Sequence, residues 1–133
     1  MKIKGIISSN LGEASQNIKI QLPYFRDLPN RQRLHCGTIN LDIYPKKFIL
    51  LKSYKVYSNV DWGKTIEDFH FIKLLKLGKP GKLEKTEGYL YLPSNSPNYQ
   101  KGSVLEIWTE WIAGISIKEE WEIEIPDGYL KVG

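Results

Sequence analysis

The chain has 133 residues, 41% of them hydrophobic and 26% charged, and a formal net charge of +4. That length supports one domain with its own core, and plentiful aromatics without repeats or low-complexity stretches exclude a disordered chain. No segment reaches the ~20 apolar residues of a membrane span, residues 1–9 hold too short an apolar run for a signal peptide, and the single Cys36 excludes an internal disulfide or a cysteine zinc cluster. These exclusions lead us to expect a soluble protein of the reducing cytoplasm. The charge is uneven. Residues 1–102 carry 17 Lys/Arg against 8 Asp/Glu, a net of +9, and residues 103–133 carry 2 against 7, a net of −5. A basic body can attract phosphates, although ordinary solvated surface is the plainer reading.

In chain order, residues 2–9 alternate, with Ile3, Gly5 and Ile7 on one face, and predict a strand. The strand enters Ser8-Ser9-Asn10-Leu11-Gly12-Glu13-Ala14-Ser15. Successive backbone N–H groups in such a small polar turn can form a concave anion site, though it is neither a Walker A loop nor a GxGxxG fingerprint. Ile18, Ile20 and Leu22 alternate with Lys19 and Gln21 and predict a second strand, stopped by Pro23. Residues 24–34, with Pro29 and several charges, predict a loop with at most a short helix.

Residues 36–43 predict a third strand, with Ile39, Leu41 and Ile43 on one face and Thr38, Asn40 and Asp42 on the other. The Thr38 hydroxyl and the Asn40 amide would then project about 7 Å apart along the strand. Neutral oxygens of this kind can ligate Mg²⁺, which shares its shell with waters and substrate phosphates. Gly37 would let a ligand or backbone approach closely. A solvent-facing row on a half-buried strand is the plainer reading of the same pattern.

Residues 48–51 form a short apolar run, 53–60 alternate less cleanly, and Asp61-Trp62-Gly63-Lys64 predicts a hairpin turn. The next strand has Phe69, Phe71, Lys73, Leu75 and Leu77 on one row and His70, Ile72, Leu74 and Lys76 on the other, broken by Gly78-Lys79-Pro80-Gly81-Lys82. His35 and His70 read as surface or partly packed residues, and no Ser-His-Asp set follows from spacing. Residues 88–93 predict a strand with Tyr89 and Tyr91 opposite Leu90 and Leu92, followed by a polar loop over 94–102. In the strand 104–108, Glu106 shares a face with Val104 and Trp108. A carboxylate between apolar neighbours can have a pKa displaced for base work, although an exposed edge position is plainer. Trp108 and Trp111 can stack on a planar ligand, or simply pack. The last strand alternates Trp121, Ile123 and Ile125 with Glu120, Glu122 and Glu124 and ends at Pro126-Asp127-Gly128. Short strands at close intervals with little helical periodicity predict an all-β barrel or sandwich with at most short helical segments.

Three blocks, in this order, resemble the archaeal-type CTP-dependent riboflavin kinases. Leu11-Gly12-Glu13 after the first strand is similar to the family's GLGE loop, and Gly37-Thr38-Ile39-Asn40-Leu41 to its GTLNL block. Residues 88–93, a polar loop and Leu105-Glu106-Ile107 are similar to its strand ending in Pro, loop and (I/L)EI strand. Leu22-Pro23-Tyr24 also falls where the family has a Pro-Tyr pair. The resemblance implies a six-stranded cradle-loop barrel, a single riboflavin-kinase-like domain over residues 1–133. It implies Mg²⁺-dependent transfer of the CTP γ-phosphate to the riboflavin 5′-hydroxyl, giving FMN and CDP. A cytoplasmic monomer without membrane or nucleic-acid partners is expected.

Carried over residue by residue, Leu11, Gly12, Glu13, Ala14 and Ser15 would belong to the nucleotide-binding loop, Thr38 and Asn40 would be the metal ligands, and Glu106 the base beside the ribityl hydroxyl. Tyr99, Ser103 and Trp108 would be flavin neighbours by location. The chain departs from the pattern in three places. Ala14-Ser15 stands where the family's loop has a second Gly, residues 111–116 contain no Arg where the family has a base-contacting Leu-Arg pair, and the segment between Tyr24 and Gly37 is short. Two other readings therefore accompany the kinase: a barrel that binds nucleotide or flavin without turnover, and, ranked last, a nucleic-acid-binding barrel using the basic stretch 73–85.

Overall fold

The computed structural model of the chain describes residues 1–9 and 15–133. Strand β1 (Lys2–Ser9) buries Ile3, Gly5 and Ile7 and exposes the residues between them, as a period of two requires. A Cβ at Gly5 would come within 2.6 Å of the Asp42 carbonyl oxygen and 2.8 Å of Leu41 Cγ, so glycine is needed for β1 to close on its neighbour β2 (Ile39–Asp42). Then follow β3 (Phe48–Leu50), β4 (Lys55–Asp61), β5 (Ile66–Lys73), β6 (Lys76–Lys79), β7 (Lys82–Lys85), β8 (Gly88–Pro93), β9 (Val104–Thr109), β10 (Glu120–Glu124) and β11 (Leu130–Val132). The helices are short: α1 (Ser15–Gln21), α2 (Pro97–Lys101), and 3-10 turns at Leu22–Tyr24 and Arg31–Arg33.

An all-β fold with short helices is thus what the chain forms, but it is not a closed six-stranded barrel. The described strands make an open nine-stranded antiparallel ladder, β4-β5-β8-β9-β2-β1-β10-β6-β7, and a separate β11-β3 pair. Alternation marks which residues are strand. Closure depends on pairing between segments remote in sequence, which alternation does not encode. The ladder ends at β4 on one side and on the other at the β6–β7 hairpin, whose turn passes through Gly81 at φ 80°.

Two further expectations are corrected. Ile18, Ile20 and Leu22 do not form a strand: Ile18 is buried from α1 while Ile20 faces solvent. Three alternating apolar residues fit a one-turn contact as well as a strand, and the tertiary partner decides. The long strand through 69–77 is two strands. Leu74 N–H donates to Gly88 O, and Leu75 N–H to Glu124 O, so the chain changes neighbours between adjacent residues and crosses from β8 to β10. α2, β7 and β11 lie in stretches that gave no element signal.

Strands β8 and β9 are buried on both faces, and the two faces differ. Leu90, Leu92, Leu105 and Ile107 join Ile3, Ile7, Ile39 and Leu41 in an aliphatic core. On the reverse face, Tyr89, Tyr91 and Trp108 join Phe69 and Phe71 in an aromatic cluster, covered by Ile18, Phe25, Leu28 and Leu34. This cover, residues 15–36, is fastened by the polar tips of the aromatics. Tyr91 O–H donates to Gln21 Oε1 at 2.5 Å, Tyr89 O–H to Pro29 O at 2.6 Å, Trp108 Nε1–H to His35 O at 2.8 Å, and Tyr57 O–H to Asp27 Oδ1 at 2.6 Å.

Candidate functional site

β2 and β9 pair so that Asn40 lies directly opposite Glu106. Opposed residues share a face, which brings an amide and a carboxyl together from positions far apart in the chain. Thr38, just ahead of β2, completes the group. Its Oγ1 lies 3.4 Å from Asn40 Oδ1 and 3.4 Å from Glu106 Oε1. Ser96, at the start of α2, donates to Glu106 Oε2 at 2.9 Å. Burial pushes the Glu106 carboxyl above the ordinary carboxylate range; hydrogen bonds from Ser96, Thr38 and Asn98 oppose the shift and the nearby Glu67 adds to it.

Asn40 and Glu106 line a cleft of about 340 Å³ whose other walls include Gln21, Trp62, Glu67 and Tyr91. It is rich in amides and hydroxyls, and no Lys or Arg lines it among the described residues. Burial pushes the Tyr91 phenol upward, so it stays a protonated donor to Gln21 at neutral pH.

Of the expected site residues, Thr38, Asn40 and Glu106 are brought together. Leu11, Gly12, Glu13 and Ala14 lie outside the described residues, and Ser15 is described only as the first residue of α1. The two described ends of that segment border the group: Ser9 pairs with Asn40, and Asn17 and Gln21 of α1 line the cleft. Tyr99 and Trp108 belong to different cores. Tyr99 packs 6.1 Å from Phe48 on the aliphatic side, the Ser103 carbonyl accepts from Ile43 N–H, and Trp108 is fully buried among Phe25, Phe71 and Tyr91. Trp111 is exposed, its ring 5.0 Å from His35.

Glu67, Trp62 and Gln21 did not stand out in the sequence. Glu67 carried a usable signal, because the row of Phe69 and Phe71 extends back two residues onto it, the same carboxyl-on-an-apolar-row pattern that marked Glu106.

The donor set fits Mg²⁺ in kind. Cis ligands in an octahedron at 2.0–2.1 Å stand about 2.9 Å apart, whereas Thr38 Oγ1 and Asn40 Oδ1 stand 3.4 Å apart with Thr38 fully buried, so the pair would have to draw together and open to hold the ion. No group of three or more His, Cys, Asp or Glu able to hold a metal occurs among the described residues. Nor is any described helix long and apolar enough to cross a membrane. In comparisons with known proteins, no family model and no curated protein matches the chain.

Proposed function

We propose that this protein is a riboflavin kinase, transferring the γ-phosphate of a nucleoside triphosphate, with CTP as donor, to the 5′-hydroxyl of riboflavin to give FMN and CDP. The observation that carries the reading is the convergence of Thr38 Oγ1, Asn40 Oδ1 and Glu106 Oε1, two neutral oxygens and one carboxyl, of which Asn40 and Glu106 line a polar cleft and Thr38 is buried behind them. On this reading Thr38 and Asn40 hold Mg²⁺, which when bound supplies charge to the triphosphate without the ligands diminishing it. Glu106 accepts the proton of the 5′-hydroxyl as its oxygen bonds to the γ-phosphorus and the bond to the β-phosphate oxygen breaks. A carboxyl held above its ordinary range is the better proton acceptor near neutrality. The loop through Leu11, Gly12, Glu13, Ala14 and Ser15 cradles the phosphates, and a cytoplasmic monomer with a riboflavin-kinase-like core belongs to the same proposal.

Incubation with riboflavin, Mg²⁺ and each nucleoside triphosphate in turn tests it. FMN should form, and should be lost in Thr38→Ala and Asn40→Ala. No FMN with any donor removes the enzyme, and full activity in both variants removes the metal assignment. The absence of Arg from residues 111–116 favours one second reading, a non-catalytic nucleotide- or flavin-binding protein. Calorimetric binding beside a silent kinase assay would select it.

A further inference from the structure

A groove of about 570 Å³ lies apart from the site just described, between the β6–β7 hairpin and the loop that follows β9, and no residue of the Thr38, Asn40 and Glu106 group lines it. The hairpin contributes Lys79, Lys82 and Lys85, the loop Trp111, and the cover segment Arg33. The hairpin's charges work against its own pairing. Its register sets Lys76 opposite Lys85 and Lys79 opposite Lys82, and like charges directly opposed on a ladder destabilise it. Lys79 is relieved by Glu119 at 3.1 Å. Among the described residues no ion pair relieves Lys76, Lys82 or Lys85, and the last two stand exposed on β7, a free edge of the ladder. Three carboxylates line the groove as well. Glu110 is held by Arg33 at 3.2 Å and Glu87 accepts from the Asn30 amide at 3.2 Å, which leaves Glu84 against two lysines.

Lysines on an edge strand guard it against pairing with another chain, and that alone would account for Lys82 and Lys85. It does not account for Trp111, which lines the same groove 64% exposed, its ring 5.0 Å from His35. An exposed indole beside an open edge invites association. Cations that follow a phosphate backbone, next to an aromatic ring that takes a base, are the two parts of a single-strand site. A duplex keeps its bases stacked inside and offers none to the indole. We propose that this groove binds single-stranded nucleic acid, with an unstacked base on Trp111 and neighbouring phosphates on Lys82 and Lys85, which lie about 10 Å apart along β7. An anion laid against the hairpin also offsets the repulsion between its opposed lysines. The proposal goes beyond the kinase reading and does not depend on it.

The test is fluorescence anisotropy of a labelled single strand of about twelve nucleotides, titrated with the full chain from about 50 to about 200 mM salt. Affinity should fall with salt at a log–log slope of about −1.4 or steeper, at about −0.7 for each phosphate neutralised. Trp111→Ala should weaken binding at least about fivefold and leave the slope unchanged. Lys82→Gln combined with Lys85→Gln should flatten the slope by about 1.4. The three side chains are exposed, so both variants should keep the wild-type melting curve. No binding at the lowest salt overturns the proposal, as does unchanged affinity in a folded Trp111→Ala protein. So does equal affinity for a duplex of the same sequence, for an acidic peptide or for a mononucleotide. Should a variant fail to fold, the wild-type comparison of single strand, duplex, peptide and mononucleotide decides.

Discussion

The two faces of β8 and β9 are built on opposite plans. One is aliphatic and closed by the sheet itself, with Leu90, Leu92, Leu105 and Ile107 packed against the buried rows of β1 and β2. The other is aromatic and cannot close itself, so it depends on residues 15–36, tied down at the polar tips of Tyr57, Tyr89, Tyr91 and Trp108. The cleft opens on this second side, beyond the aromatic packing, and there Glu67 and Glu106 stand on the same strand faces as Phe69 and Trp108. A face that needs a separate cover can leave part of itself uncovered, and polar groups are retained where it does so.

The contrast is broken most severely by neighbouring substitutions on β9. Glu106→Gln should lower FMN formation about 10²–10⁴-fold, the usual worth of a general base. The fold should not suffer. The Glu106 carboxyl is raised in the folded state, so its ionisation opposes folding, a cost absent below the unfolded value of 4.5, growing as pH rises from there to the folded value and constant above it. Melting curves at about pH 4 and about pH 8 should therefore separate in favour of the variant at the higher pH. A wild type that gains on the variant with rising pH contradicts the account. One residue along, Ile107→Ala should cost about 2–5 kcal/mol in denaturant unfolding, since Ile107 is fully buried in the aliphatic core. A loss below about 1 kcal/mol would show that this face repacks and is not the closed core described.

Smaller changes probe the cover. Tyr91→Phe removes the hydrogen bond to buried Gln21 and should cost about 1–3 kcal/mol. Hydrogen exchange should then quicken in α1 and not in β1; equal quickening in both would deny the cover a separate stability. The faintest effect lies at Asp27, where Lys55 first and Tyr57 second hold the carboxyl down at about 2. Its contribution is present above the unfolded value of 3.8 and is lost as pH falls through about 2. Asp27→Asn should abolish a small acid-side decline in stability, greatest at low salt because Asp27 and Lys55 meet at the surface. An unchanged acid limb at low salt would count against the clasp.

Much of this was legible in the chain. The alternations of β1, β8, β9 and β10 fixed both the strands and their buried rows, because a two-residue period survives any tertiary arrangement. The Thr38, Asn40 and Glu106 group was legible only as fragments. The ladder register that sets Asn40 against Glu106 is a long-range pairing. α1 was hidden because its one core contact, Ile18, is made to aromatics on other strands. Glu67 shares the row of Phe69 and Phe71, but as a charged residue beside Asp68 it interrupts the apolar pattern that marks that row.

The central claim is that Thr38 and Asn40 hold a divalent ion beside Glu106 and the acceptor hydroxyl. A crystal structure with CDP, FMN and Mg²⁺ tests it most directly. The account predicts Mg²⁺ on Thr38 Oγ1 and Asn40 Oδ1, with the FMN ribityl chain beside Glu106. Ligands bound elsewhere, with the Thr38 hydroxyl still closed against Glu106, would contradict it.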